Sequence, residues 1–454
     1  MPGAFTVFNP QKFFQACAAC LENPPARAEA PRAVLDFLHA LGYLDPDAPD
    51  TGSPRDARFA NRLALFALAA RFDDAFLLPM PDAPGARFFG ARVSPEGFGV
   101  SGHDPAGAAG RGFSLREAFE GCVGEAAEFL SFLEWDADPL QVPLPGAHGL
   151  SEPELAWAFE GIGLDCSAVP ETAHWVRAQS VTDQRQVCFP FELILRRRLR
   201  ARAGTREALS NGVGAGACRQ AALRSGLTEI IERDAIALWW YGGRPARAVD
   251  LPQVCGPGLT DLMDRVRGAS RRRVWFLDIT TDFDIPVAAA LSCEAEGRAV
   301  VAGFAADTAM DSAIKRAFLE LCQMECAQQI SVDKARDGAV ETLSEQDRIW
   351  NRRFQALTLG DFPQLTPAGG AAARKPSPLP ADAVPEDIAA HLEKSGYPVY
   401  AIELTRPSIG IPVLRVVAPG LQSVKPDWTS SRLADSAAAH GVDLGAAMGY
   451  ISPI

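Results

Sequence analysis

Basic residues are in the minority in this chain. Its 44 lysines and arginines face 56 aspartates and glutamates, for a formal net charge of −12 at pH 7. Binding to nucleic acid or an anionic membrane needs a basic surface, so neither is the expected partner. Long apolar runs are also missing. None approaches the roughly 18 residues a membrane-spanning helix needs. The start, Met1-Pro2-Gly3-Ala4-Phe5, lacks a basic flank followed by an apolar stretch, so no secretory signal is visible and a cytoplasmic location is expected. Histidine is scarce. His39, His103, His148, His174, His391 and His440 are dispersed, with no H-x-x-x-H or H-E-x-x-H spacing. No G-x-S-x-G elbow of an α/β-hydrolase is present, and no G-x4-G-K-[ST] phosphate loop.

What remains is an ordinary globular composition, 48% hydrophobic and 22% charged over 454 residues. At roughly 150 residues per domain, that length suggests about three units or one large domain with an appendage. The ten cysteines are scattered. Cys17 with Cys20 and Cys322 with Cys326 have spacings that could serve zinc. Phe13, Phe14 and Cys17 also fit one apolar helix face, and no histidine lies near, so buried packing is the expected role.

The first 75 residues read as mostly helical. Val34, Phe37, Leu38 and Leu41 have helical spacing, as do Leu65, Leu68, Ala69 and Phe72. Proline, glycine and aspartate mark a loop at 44–52, a linker or boundary at 78–90, a break at 139–153 and a flexible insertion at 366–380. Arg273-Val274-Trp275-Phe276-Leu277-Asp278-Ile279 has strand composition, as do 286–292, 299–302, 399–404 and 412–418. Strands and helices alternate, which favours an α/β fold. The expected domains are a mainly helical extension over 1–78 and an α/β domain over 79–454.

The strongest internal signal is a repeat. Gly110, Gly112, Ala118, Glu125 and Glu128 recur, at identical offsets, as Gly214, Gly216, Ala222, Glu229 and Glu232. A third copy drops the glycines but keeps Asp307, Ala313, Glu320 and Gln323 in step. The copies start roughly a hundred residues apart, too far for a solenoid, so three related strand-turn-helix units within one fold are expected. Leu115, Ala118, Phe119, Cys122 and Val123 form one apolar helix face; Ala222, Leu227 and Ile230 form a second; Ile314, Phe318, Leu321 and Cys322 form a third. The paired groups three residues apart are neighbours on each helix.

Two carboxylates about 4 Å apart repel by about 1 kcal/mol in water and about 4 kcal/mol at an effective dielectric of 20. Such pairs either face solvent or are neutralised. For any single E-x2-E the solvated face is the simpler reading. The repeated offset favours convergence, in which five carboxylates and a glutamine offer oxygen ligands to a hard cation such as Mg²⁺. Arg233 and Arg316 lie beside them and suit phosphate, or simple pairing with the glutamates. A Mg²⁺-bridged polyphosphate, such as a nucleotide, is the chemistry this points to. The run Gly212-Val213-Gly214-Ala215-Gly216-Ala217 follows the polar stretch 200–210, so it reads as a turn before a helix rather than a dinucleotide fingerprint.

These residues resemble a known family. Ser210-Asn211-Gly212-Val213-Gly214-Ala215-Gly216, with Ser225-x3-Glu229-x2-Glu232-Arg233-Asp234-Ala235, is similar to the central signature of the YcaO family. Gly110-Arg111-Gly112 with Glu125-x2-Glu128 resembles its first motif, with Arg111 in place of the usual lysine. Arg316-Ala317-x2-Glu320-x2-Gln323 resembles its third. Asp278-Ile279-Thr280, Ile285-Pro286-Val287, Glu403-Leu404-Thr405 and Gly410-Ile411-Pro412-Val413 resemble its later strands. The resemblance covers about residues 85–425.

It implies a YcaO-type α/β fold that binds ATP and Mg²⁺. Glu125, Glu128, Glu229, Glu232 and Glu320 would ligate or support Mg²⁺, and Asn211, Ser225, Arg233, Arg316 and Gln323 would contact the nucleotide. No motif supplies a general base. The implied activity is ATP-dependent O-phosphorylation of a peptide backbone amide during nucleophilic attack. A Cys, Ser or Thr side chain as nucleophile gives an azoline, as in cyclodehydration during ribosomal peptide natural-product biosynthesis. Sulfide gives a thioamide. Azoline-forming members often end in Pro-x-Pro-x-Pro, whereas this sequence ends Gly449-Tyr450-Ile451-Ser452-Pro453-Ile454, which keeps the thioamide alternative open. A non-catalytic scaffold subunit is the third reading. The implied partners are a precursor peptide and a leader-binding or sulfur-delivering protein, with a homodimer as a family-level expectation. For the N-terminal extension, packing is favoured over peptide recognition.

Overall fold

Spacing of apolar residues by three and four lets the N-terminal segments bury one helical face each. The computed structural model describes residues 5–7, 9–44, 55–136, 138, 140, 142, 148–163, 174–198, 206–336, 345–369, 376–424, 428–450 and 452. Of the expected irregular stretches, residues 45–52, 139, 141, 143–147, 200–205, 370–375, 451, 453 and 454 lie outside the described residues.

In chain order the elements are β1 (Phe5–Val7), α1 (Pro10–Glu22), α2 (Arg32–Ala40), α3 (Arg55–Ala69), β2 (Asp74–Leu78), β3 (Arg87–Val93), β4 (Ala106–Gly112), α4 (Leu115–Phe132) and α5 (Glu152–Gly161). Then come β5 (Trp175–Ser180), β6 (Gln186–Pro190), α6 (Phe191–Ile194), β7 (Val213–Ala215), α7 (Arg219–Trp240), β8 (Arg247–Ala248), α8 (Leu251–Arg267), β9 (Arg273–Asp278), β10 (Val287–Cys293) and β11 (Val301–Ala306). The last are α9 (Met310–Arg336), α10 (Glu345–Ala356), α11 (Pro385–Lys394), β12 (Tyr400–Glu403), β13 (Val413–Val417), α12 (Ser431–Ala439) and α13 (Leu444–Ala447). The fold is mixed α/β. All five strands expected from composition are present as β9 to β13, within a few residues of their expected limits.

The chain divides into two compact units. The first comprises Met1–Pro79, Arg87–Gly226 and Val399–Pro419; the second comprises Met80–Ala86, Leu227–Pro398 and Gly420–Ile454. The first holds two sheets, ordered β1-β2-β3-β4 and β6-β5-β12-β13-β7. The second holds one, ordered β11-β10-β9-β8. The named strand pairs are all antiparallel; β2–β3, β3–β4, β9–β10 and β10–β11 join successive strands, whereas β8–β9 spans α8, and β5–β12 and β7–β13 bring together strands far apart in the chain. Residues 78–90 thus include the register pair Leu78 and Phe88, joining β2 to β3 in one sheet.

In the first unit, α4 is the central helix. Phe119, fully buried, meets Phe14, Phe37, Phe66 and Phe89 at ring-centroid distances of 5.7, 5.5, 5.5 and 5.4 Å. Aromatic pairs at such separations add about 0.5–1.5 kcal/mol each beyond area burial. The three N-terminal helices therefore pack through their phenylalanines onto the helix that carries Glu125 and Glu128. Cys17 and Cys20 are buried in the same core, and burial pushes both thiols up, with Cys20 adding to the effect on Cys17. In the second unit, every residue of β10 and β11 is buried. Burial likewise pushes Cys322 up to about 12 and Cys326 up to about 11. All four are thiols suited to packing, and the described residues include no group of three or more His, Cys, Asp or Glu placed to hold a metal.

Candidate functional site

Backbone proximity comes first. Gly110 on β4 lies against α4 so closely that an added Cβ would fall on the carbonyl oxygen of Ala118 and the amide nitrogen of Cys122. Gly303 on β11 has the same relation to α9, where a Cβ would fall on the Leu321 amide nitrogen and Ala317 carbonyl oxygen. Glycine is needed at both positions because strand and helix backbones meet there. The Gly-x-Gly residues thus serve packing at the strands' ends. Gly214 lies within β7, paired with Leu414, and not in a turn as expected from sequence.

Close approach brings helix carboxylates to strand amides. In the first unit, the Ala109 N–H donates to Glu125 Oε2 at 2.9 Å, and the Ala215 N–H donates to Glu128 Oε1 at 2.6 Å. Glu125 is exposed and Glu128 half-buried. Asn211 is half-buried in the turn before β7, and Ser225 is half-buried on α7, one turn before Glu229.

The second unit contains the rest. Glu229, Glu232 and Arg233 lie on α7, and Arg316, Glu320 and Gln323 on α9. Glu232 is 9% exposed. Arg233 bridges its helix neighbours, with Nη2 at 3.3 Å from Glu229 Oε1 and Nη1 at 3.4 Å from Glu232 Oε1. The Phe304 N–H donates to Glu320 Oε2 at 3.2 Å. Arg316 is half in solvent and meets Asp307 at 3.4 Å. Gln323 is half-buried one turn beyond Glu320.

Electrostatics tie these groups together. Burial pushes the Glu232 carboxyl up to about 7; Arg233 and Arg316 oppose that rise, and Glu320 and Glu229 add to it. Burial alone would lower Arg233, but Glu232, Glu229 and Glu320 hold it above its ordinary value. So α7 and α9 do bring three carboxylates and two guanidiniums into mutual range. The solvated-face reading fails for Glu232, whereas Glu125 is exposed and accepts a strand amide.

The donor chemistry, carboxylate oxygen, suits a hard divalent cation, although among the described residues no three such groups stand close enough together to hold one as they are. Buried carboxylates that keep one of their number near neutrality are relieved by added positive charge, and carboxylate oxygen is what Mg²⁺ takes. Arg233 occupies the gap between Glu229 and Glu232, so an ion bound by both requires those contacts to open. Two features escaped sequence reasoning. One is the set of strand amides on Glu125, Glu128 and Glu320, whose signal was the shared 16-residue separation of Ala109–Glu125 and Phe304–Glu320. The other is Arg432 on α12. Its Nε lies 3.0 Å from both carboxylate oxygens of Asp234, its Nη2 is 2.6 Å from Asp282, and its Nη1 is 3.1 Å from the Tyr397 hydroxyl.

Comparison with known proteins places this geometry. A family model described as "YcaO cyclodehydratase, ATP-ad Mg2+-binding" matches residues 109–422. An uncharacterized protein of Methanothermobacter thermautotrophicus is 26% identical over 241 residues, covering 50% of this chain and 60% of that protein. Among solved structures, a heterocyclase in complex with substrate and cofactor superposes with a TM-score of 0.67 at 21% identity, covering 86% of this chain and 55% of that one. YcaO from Methanopyrus kandleri, bound with AMPPCP and Mg²⁺, gives 0.53 at 18% identity, over 80% of this chain and 91% of that one. A chain of the E. coli microcin synthetase McbBCD complex gives 0.62 at 14% identity, over 84% and 96%. At these identities the structural likeness carries the fold. The chain spans 60% of the curated relative and 55% of the heterocyclase it matches. No described helix is long and apolar enough to cross a membrane.

Proposed function

This chain belongs to the YcaO family, whose cofactors are ATP and Mg²⁺, and from that premise we propose that it activates peptide backbone amides for attack by a nucleophile. The observation that carries the proposal is Glu232, buried on α7 and facing Glu229, Glu320, Arg233 and Arg316. In this reading Glu229, Glu232 and Glu320 hold Mg²⁺, and Arg233, Arg316 and Gln323 hold the nucleotide. Glu125 and Glu128 are assigned to Mg²⁺, and Asn211 and Ser225 to the nucleotide, through their places in the motifs.

The Mg²⁺-bound nucleotide supplies a phosphoryl group that turns the amide oxygen, a very poor leaving group, into phosphate, a good one. The chain's own contribution is positioning and charge stabilisation. Arg233 is fully charged at any working pH and offers fixed donors to phosphate oxygens. Burial of the carboxylates makes each charge interaction stronger than in water.

The most strongly supported outcome is cyclodehydration. A Cys, Ser or Thr side chain adds to the preceding amide carbon, and phosphate leaves with the amide oxygen, giving an azoline. A precursor peptide is the proposed substrate, with a leader-binding partner protein. Calorimetric titration with ATP, with and without Mg²⁺, tests the nucleotide site: binding requires Mg²⁺ and is lost in Glu232→Gln. Unchanged binding in that variant sinks the assignment. Product mass then identifies the nucleophile. Loss of water from the peptide means azoline formation; exchange of oxygen for sulfur means a thioamide and a sulfur-delivering partner.

A further inference from the structure

We propose that the outward backbone amides of three edge strands, at Ala109, Ala215 and Phe304, position the metal-binding carboxylates. The proposal rests on the assignment of Glu125, Glu128 and Glu320 to Mg²⁺. β4, β7 and β11 are each the outermost strand of their sheet. An outermost strand presents N–H groups that no neighbouring strand takes up. In each of these strands one such N–H donates to a glutamate assigned to the metal, at 2.9, 2.6 and 3.2 Å. The strand-to-helix register is the same for Ala109 with Glu125 and for Phe304 with Glu320, 16 residues in both. That repetition is not needed to cover an edge, since any polar side chain or water would do so.

The physical consequence is orientation. A bond from a backbone N–H to a carboxylate is charge-assisted and about twice as strong as a neutral one. A backbone donor cannot swing away as a side chain can, so it limits rotation of the carboxylate before the ion arrives. Glycines at 110 and 303 bring the backbones close enough for the bond. Partners that hold a metal ligand from behind are typically worth 10- to 100-fold in metal affinity.

Ala109→Pro removes one donor. The Ala109 N–H points to α4 and away from β3, so the β3–β4 ladder keeps its hydrogen bonds. Gly107→Pro, two residues earlier on the same outward side of β4 and in open space, is the control. In calorimetric titrations of the full chain with ATP, Ala109→Pro is expected to raise the Mg²⁺ concentration for half-maximal binding about 10- to 100-fold, with Gly107→Pro unchanged. No Mg²⁺-dependent binding in the unaltered protein refutes the nucleotide reading itself. Mg²⁺-dependent binding that Ala109→Pro leaves unshifted overturns the present proposal alone. A second measurement needs no variant: amide-resolved hydrogen exchange on the unaltered protein. The Ala109, Ala215 and Phe304 amides are expected to stay slow when Mg²⁺ and ATP are added. Faster exchange at these amides on loading means the carboxylates release them to bind the ion, and overturns the proposal.

Discussion

Replacing Glu232 with glutamine should change how stability depends on pH, in a direction opposite to the usual expectation for losing a charge. The Glu232 carboxyl stands at about 7 in the folded chain against an ordinary 4.5, chiefly because it is buried. A carboxyl raised in the fold favours its protonated form there. Its contribution to stability is whole below about pH 4.5 and is lost as pH rises through about 7. At about 1.4 kcal/mol per pKa unit, that rise corresponds to about 3 kcal/mol. Glutamine keeps the shape and cannot ionise. Unfolding by denaturant at intervals between pH 4.5 and 8, with Mg²⁺ and nucleotide absent, should therefore show Glu232→Gln gaining on the unaltered protein by about 3 kcal/mol across the window. Saturating Mg²⁺ and ATP should close that gap by stabilising only the protein that binds them. Parallel pH curves for the two proteins would refute the reasoning, because they would mean that Glu232 is not held near neutrality by its surroundings.

Phe119→Ala should destabilise the chain by about 3–5 kcal/mol, as expected for a fully buried phenylalanine, with Phe119→Leu much milder; a loss under 1 kcal/mol in denaturant unfolding would deny the aromatic cluster its role. Arg432→Ala leaves Asp234 and Asp282 without their shared partner and should cost about 3–5 kcal/mol, and Arg432→Lys should recover little, because one ammonium cannot span two carboxylates; full recovery by lysine in a thermal melt would contradict the bidentate geometry. For Glu154, burial works upward, but bonds from Ser151 and Tyr400 hold its carboxyl below the ordinary 4.5. Its stabilisation is thus present above about pH 4.5 and fades as pH falls below it. Acid titration of stability should show the unaltered protein losing its advantage over Glu154→Gln on descent through that range, and a constant difference would count against the bonds.

Helices and strands were legible where local pattern decides them. Val34, Phe37 and Leu38 are buried on α2 as their spacing predicts, and β9 to β13 appear where β-branched residues cluster. Pairing direction was not legible, because it depends on connections and on which strand lies alongside. The family's site residues were legible through fixed offsets, since a helix turns a spacing of three into adjacency. Spacing also drew attention to Gly110 and Gly214, but as turn residues. Only contact with a helix backbone reveals why no side chain fits at Gly110, and Gly303, which has the same role on β11, left no mark in the repeat.

The sequence by itself determined that paired side chains three residues apart recur on three helices, five of them carboxylates and one an amide, and that an acidic excess without a phosphate-loop or nucleophile-elbow motif accompanies them, because those features depend only on residue type and interval. Tertiary structure alone decided the state of each carboxylate. Glu128 and Glu232 occupy corresponding places in the repeat's helices and have the same chemistry, yet one is half-buried and bonded to a strand amide while the other is buried near neutrality. Burial, neighbouring charge and the approach of an edge strand set that difference. All three come from residues far apart in the chain.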